Sequence, residues 1–323
     1  MRVGTNPVKN SLTKLIHKPH RIIIPIYVPN VEEEYYKNSI VVLKKCLDSL
    51  IATSSQECTN ITLINNGSCG EVDIILLDYL KKEKIDRYIK QENRGKVEAV
   101  LKEAKSSYEE YITISDADVL FRSGWLEETL KIFNEFKKAG VVSPLPVPNI
   151  YGYCNNIALI ENFLSNQIRY GYIAGENDLR EFENSIGTKG LYQNFYNKQF
   201  YIKKNSEALL GAAHFVATYK KSLFEKEFKK VSYVFENGLE RDYLDVLAQK
   251  SGLWRLSTVK SYVYHMGDSL CNEKLTNQEC KVQLKDYPVY NNKRYVELWN
   301  LKFVNMMARM IIIILKKKIH NNA

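Results

Sequence analysis

From Arg21 to Val28 the chain is a nearly continuous apolar run, Arg-Ile-Ile-Ile-Pro-Ile-Tyr-Val. A run without alternation predicts a strand covered on both faces, and Pro25 falls near its end, where no ladder donor is needed. After a loop, Pro29 to Glu34, the residues Val42, Leu43, Cys46, Leu47 and Leu50 recur at helical spacing and predict a helix from Ser39 to Ala52. The alternation continues. Asn60 to Ile64 reads as a strand stopped by Asn65-Asn66-Gly67-Ser68, Val72 to Lys82 as a helix, and Asp86 to Ile89 as a brief strand. Asn93 to Lys105 reads as another helix, and Tyr111 to Ser115 as a strand running into Asp116-Ala117-Asp118. Strands alternating with helices predict an α/β fold with a mostly parallel sheet flanked by helices. Ligands of such sheets bind at the carboxyl ends of the strands, which selects Tyr27, Asn66, Asn93 and Asp116 as residues of one edge.

The pattern weakens from Val141 to Leu210, where prolines stand at 144, 146 and 148 and Tyr and Asn are dense; loops and short helices are expected there. Regularity returns at Ala212 to Tyr219, in a helix from about Asp242 to Ser251, and in a strand-like Ser261 to Tyr264 ending in His265-Met266-Gly267. Near the end, Leu298, Leu301, Val304, Met307, Ile311, Ile314 and Leu315 follow helical spacing, with Lys302, Asn305, Arg309 and Lys316 on another face. The division that follows is a lead-in (1–19), a regular α/β half (20–140), a less regular half (141–290) and an amphipathic basic tail (291–323).

Charge narrows the partners. The formal net charge is +9, from 46 Lys and Arg against 37 Asp and Glu, which suits a phosphorylated small molecule, an anionic membrane or a polyanion. Outside the tail the basic residues are dispersed and not clustered with aromatics on one element, so nucleic acid is not expected. The six cysteines show no C-x-x-C pair, against both a zinc site and a disulfide scaffold. With no export signal at the N-terminus, the sequons at Asn60 and Asn66 read as chance, and the expected location is cytoplasmic. The apolar run Met310 to Leu315 is too short to cross a bilayer, which takes about 20 residues. The tail is therefore expected either to lie on the inner face of the cytoplasmic membrane or to dock on the protein.

Asp116 and Asp118, one residue apart at the end of a buried strand, can offer oxygen ligands to a hard cation, Mn2+ or Mg2+, and leave room for substrate phosphates. Upstream lie Pro25-Ile26-Tyr27, then Asn65-Asn66-Gly67-Ser68, then Asn93-Arg94-Gly95-Lys96, and downstream Ser123-Gly124-Trp125-Leu126. In this order the motifs resemble the inverting glycosyltransferases of family 2, enzymes of the GT-A (Rossmann-like) fold, over roughly residues 20 to 135.

The resemblance implies a nucleotide-sugar donor, with Pro25, Tyr27 and Asn66 bordering the base and ribose. Asn93, Gly95 and Lys96 would lie near the nucleotide, Asp116 would face the ribose or the metal, and Asp118 would coordinate the metal. His265, after a short apolar strand, is a further candidate ligand. The family's base lies in a Glu-Asp pair about a dozen residues before a glycine; here Glu240-Arg241-Asp242 precedes Gly252, and Asp242 is one step late. Asp242 is favoured over Glu240 as the group that deprotonates the acceptor. The acceptor implied is a saccharide or lipid-linked saccharide, as in bacterial cell-surface polysaccharide synthesis. Two departures stand out: both residues of the second turn, Asn65 and Asn66, are amides where the family often has an Asp, and the loop Val28 to Tyr36 is long. Tyr151, Tyr153, Tyr170, Tyr172 and Tyr192, together with His214, are secondary candidates for contact with an acceptor. The rival readings are a sugar-phosphate nucleotidyltransferase, which lacks here its glycine-rich signature after the first strand, and a non-catalytic basic binding module.

Overall fold

The computed structural model describes residues 17–225, 227–228, 230–232, 238–267 and 302–320. At its centre is β1 (His20–Ile26), flanked by β2 (Thr59–Asn66) and β4 (Tyr111–Ser115), with β3 (Arg87–Gln91) outside β2; all four run parallel. Ile22, Ile23 and Ile24 are each fully buried. Ile22 and Ile24 pack with α1 (Ser39–Thr53) through Val42, Leu43 and Leu47, whereas Ile23 packs with α3 (Lys96–Ser106) through Val97 and Val100. Burial on both faces is why β1 does not alternate, and each such side chain contributes about 1.5–3 kcal/mol. Pro25 is tolerated because the ladder to β4 ends at Ile23–Ile114, leaving Pro25 beside β2 alone.

The sheet continues through β10 (Val216–Lys220), β6 (Ala139–Ser143), β11 (Trp254–Ser257), β9 (Glu207–Leu210), β8 (Gln199–Lys203) and β7 (Ile168–Gly171), giving ten strands in the order β3-β2-β1-β4-β10-β6-β11-β9-β8-β7. β10 is antiparallel to both neighbours, β6 and β11 are parallel, and the remaining pairs are antiparallel. Seven of the ten strands therefore point the same way, as the expected α/β architecture requires. One sheet runs across the boundary expected near residue 140, since β10 sits between β4 and β6. A second small sheet pairs β5 (Val119–Phe121) with β12 (Val263–His265).

The expectation of loops and short helices between 141 and 210 is corrected: α5 (Asn156–Leu164) and α6 (Glu176–Ser185) form, but so do β7, β8 and β9. These strands are short, and β8 carries a polar residue at a buried position. Gln199, in β8, is fully buried because its amide oxygen accepts from the Ile173 and Ala174 N–H groups at 3.0 Å each and its nitrogen donates to the Phe195 carbonyl. Arg255 hides β11 in the same way, a charge in the middle of a four-residue strand. The expected carboxy-terminal helix is α8 (Lys302–His320), docked on α5; Leu298 and Leu301 lie outside the described residues.

Candidate active site

The carboxyl ends of β1, β2 and β4 and the start of α3 surround a cleft of about 280 Å³. Pro25, Tyr27, Asn66, Asn93, Gly95, Lys96, Asp116 and Asp118 all line it, so every residue expected at the nucleotide, and both aspartates, meet in one place. Val42 and Leu43 of α1 and the rings of Tyr35 and Tyr36 complete an apolar wall; the sequence reading missed the two tyrosines, for which the long loop after β1 was the available signal. The Tyr35 and Tyr36 rings meet edge to face with centroids 4.9 Å apart.

Asn66 reaches the cleft but its amide is committed. The oxygen accepts from Gln91 Nε2 (2.7 Å) and the Arg94 N–H (3.1 Å), and the nitrogen donates to Asn93 Oδ1 (3.2 Å). Asn93 Oδ1 also accepts from the Gly95 N–H at 2.9 Å. These bonds fix the turn that opens α3. Gly67, at φ +88°, brings the second turn so close that a Cβ there would stand 2.9 Å from the Asn93 nitrogen.

Lys96, in the first turn of α3, forms an ion pair with Asp116 Oδ1. Burial works against the Lys96 ammonium, but Asp116, with Glu240 and Asp118 behind it, raises its pKa above the ordinary range. Asp116 is itself fixed because its N–H donates to the Phe215 carbonyl at 2.7 Å, continuing the pairing of β4 with β10. Past it, β5 pairs with β12 so that His265 lies opposite Val119, and the Met266 N–H donates to the Asp118 carbonyl at 2.8 Å. That ladder brings His265 Nε2 to 3.5 Å from Asp118 Oδ2, across nearly 150 residues of chain. Asp118 Oδ1 and His265 Nδ1 are buried with no hydrogen-bond partner. Burial pushes the Asp118 carboxyl up; His265 opposes the shift and the nearby Asp116 charge adds to it. An unpartnered carboxylate oxygen in a site that disfavours its charge suits a cation. Among the described residues no three His, Cys, Asp or Glu side chains are gathered to hold one by themselves.

The helix expected from about Asp242 begins earlier. Leu239 and Glu240 are helical, Arg241–Asp245 form a π turn in which the Val246 N–H donates to the Arg241 carbonyl, and α7 (Val246–Lys250) follows. Asp242 Oδ1 is held by Arg241 Nε at 2.9 Å and the side chain is 58% exposed. Glu240 is the carboxylate whose charge reaches Lys96. Asp245, which the sequence reading passed over, is fully buried against Arg255 Nη1 at 2.8 Å, and Arg255 Nη2 donates to the Ala212 carbonyl at 2.5 Å. Half-exposed His214 lies 3.6 Å from Asp245 Oδ2. Burial would push the Asp245 carboxyl up, yet His214 and Arg255 hold it below the usual range. Of the five tyrosines, Tyr151 and Tyr192 are buried in the core, whereas Tyr153 and Tyr172 are exposed.

The profile of glycosyl transferase family 2 matches residues 35–226, more than half of the chain. The chain belongs to glycosyltransferase family 2. Its sheet and flanking helices are the GT-A fold of that family. A comparison with curated proteins found no match. Among solved structures, the family 2 chain is similar to mannosyltransferase PcManGT from Pyrobaculum calidifontis in complex with GDP-Man and Mn2+, with TM-score 0.42, 13% identity, and coverage of 74% of this chain and 54% of that one. It is also similar to S. aureus TarS 1-349, with TM-score 0.40, 11% identity, and coverage of 76% and 59%. TarS 1-349 in complex with UDP-GlcNAc gives TM-score 0.40, 11% identity, and coverage of 78% and 61%. The family 2 chain thus spans less than two thirds of the length of each of these structures.

Proposed function

We propose that this chain is an inverting glycosyltransferase that moves a sugar from a nucleotide-sugar donor to a hydroxyl of a saccharide or lipid-linked saccharide, of the kind used in cell-surface polysaccharides. The observation that carries this reading is the convergence of all eight expected donor-side residues on a single cleft that pairs a cation, Lys96, with a carboxylate, Asp116. Tyr27, Tyr35 and Tyr36 offer aromatic faces for a base, and Lys96 offers its ammonium to the diphosphate. Asn66 and Asn93 act by fixing the loop that carries Gly95 and Lys96.

Asp118 and His265 are the residues that would hold a divalent ion, Mn2+ or Mg2+. When bound, such an ion would neutralise charge on the leaving diphosphate. The unpartnered Asp118 Oδ1 fits that role.

Glu240 is our candidate base, in place of the Asp242 favoured by the sequence. A π turn takes up one residue more than an α-helical turn, so counting back from Gly252 through Arg241–Asp245 moves the family's Asp position one residue earlier, onto Glu240. Glu240 also shares the electrostatic environment of Lys96, whereas Asp242 is exposed and tied to Arg241. In the reaction, the acceptor oxygen bonds to the anomeric carbon as the bond from that carbon to the diphosphate oxygen breaks. The hydroxyl proton passes to Glu240, and the nucleoside diphosphate leaves.

Thermal stabilisation by a panel of nucleotide sugars, with and without Mn2+, tests the donor site; no shift with any of them would sink this reading. With a responsive donor, Glu240→Gln keeps the shift and lowers transfer by about 10²–10⁴-fold, while Asp242→Asn changes transfer by only a few-fold.

A further inference from the structure

α8 (Lys302–His320) takes no part in the cleft, and one of its faces is already used. Val304, Ala308, Ile311, Leu315 and Ile319 are buried, spaced by four, three, four and four residues, and join the main core. Ile312 packs so tightly on the turn before α5 that a Cβ at Gly152 would stand 2.9 Å from its Cδ1, and Asn156 Nδ2 donates to Asn305 Oδ1 at 2.9 Å. Docking on the protein therefore accounts for one stripe of the helix.

A second apolar stripe points away. Phe303, Met306, Met310 and Ile313, spaced by three, four and three residues, together with Ile314, are each 43–59% exposed. At about 100° per residue they fill the arc opposite the docked one. Lys302, Arg309 and Lys316 stand seven residues apart in a row beside Met306 and Ile313, all exposed, and Lys317 falls within the apolar arc. The helix contains no Asp or Glu. An apolar strip bordered by a line of cations complements a surface that is apolar beneath and anionic above, the headgroup and acyl boundary of an acidic bilayer. A second copy of the same face would set cation row against cation row with no carboxylate between. Among the described residues no helix is long and apolar enough to cross a membrane, and α8 is anchored along its length by the docked face, so it would lie flat.

We propose that the outward face of α8 is an interfacial membrane contact. It lays the protein on an anionic lipid surface with Phe303, Met306, Met310 and Ile313 entering the headgroup boundary and Lys302, Arg309, Lys316 and Lys317 meeting lipid phosphates. The inner face of the cytoplasmic membrane is one such surface. The contact needs no catalytic turnover, so its test is separate from that of the donor site.

Co-sedimentation of the full chain with vesicles of phosphatidylcholine alone, and with vesicles enriched in phosphatidylglycerol, measures it. Binding is expected to the phosphatidylglycerol vesicles, with most of it lost at about 1 M salt, where the Debye length falls to about 3 Å. The triple variant Phe303→Ser, Met306→Ser, Met310→Ser should partition at least about tenfold less, and Lys316→Gln with Lys317→Gln should weaken binding only to the anionic vesicles. Unchanged melting of both variants shows that the docked face is intact, and Ala308→Asp, on that face, should lower the melting temperature instead. Equal binding to both vesicle types, undiminished binding of the triple variant, or no binding at all would overturn the proposal. So would a dimer in light scattering that the triple variant abolishes, since the face would then belong to a second copy.

Discussion

The two ends of the sheet each hold a buried arginine, and the two are put to different use. At the parallel end, Arg21 of β1 pairs with Glu109 at 2.6 Å and donates to Thr62 Oγ1 at 2.6 Å, at the amino end of the strands, opposite the cleft. At the mixed end, Arg255 of β11 pairs with Asp245 and the Ala212 carbonyl, and so ties the strand to the helix that carries Glu240 and to the segment leading to His214. The first arginine closes the bottom of a sheet whose top makes the site. The second holds together three separate parts of the chain, its own strand, the helical turn of Asp245 and the segment of Ala212.

The largest effects that would sharpen this contrast come from removing each guanidinium. Arg255→Met and Arg21→Met each strand a buried carboxylate and should each cost about 3–5 kcal/mol in urea unfolding. Only Arg255→Met should also lower glycosyl transfer once folded, since Arg21 is remote from the cleft; equal kinetic losses would break the comparison. A pH effect belongs to the parallel end. The His20 ring lies buried between Thr59 Oγ1 (3.0 Å) and Thr113 Oγ1 (2.7 Å), and burial lowers its pKa from 6.5 to about 3. The unfolded chain binds this proton first, so the contribution of His20 is complete above pH 6.5 and is lost as pH falls towards about 3. At pH 5 the loss is about 2 kcal/mol. His20→Gln should flatten the dependence of the urea midpoint between pH 7 and pH 5.

Smaller effects come from two glycines at positive φ. Gly67→Ala (φ +88°) and Gly211→Ala (φ +109°) should each cost about 1–2 kcal/mol. Gly67→Ala presses on Asn93 and should weaken donor-induced stabilisation. Gly211→Ala presses on the Ile150 carbonyl and should leave the donor shift unchanged while altering transfer.

The parallel end could be read from the chain because its inner strands are buried on both faces and its helices are amphipathic: Tyr111–Ser115 was expected and is found at the same bounds, and α1 differs by one residue. The mixed end resisted because its strands are short and carry Gln199 or Arg255 where apolar residues are looked for, their polar groups being satisfied by partners far off in sequence. The candidate site divides the same way. Tyr27, Asn66, Asn93 and Asp116 were selected by following strands to their ends, and Pro25 and Lys96 by the ordered motifs beside them. Tyr35, Tyr36 and Asp245 had no such signal, since each depends on what a loop or a wide helical turn brings near.

Local periodicity, turn residues and the ordered motifs were enough to specify a GT-A sheet and the edge at which a donor would sit, because those features are written in neighbours along the chain. Three matters were left to long-range contact. The β5–β12 ladder sets His265 beside Asp118, the π turn shifts the register of Glu240 and Asp242 by one residue, and docking on α5 decides which face of the terminal helix is spent and which stays exposed. In each case the deciding partner is remote in sequence or the deciding feature is a one-residue change of register, and neither leaves a mark on hydrophobic spacing.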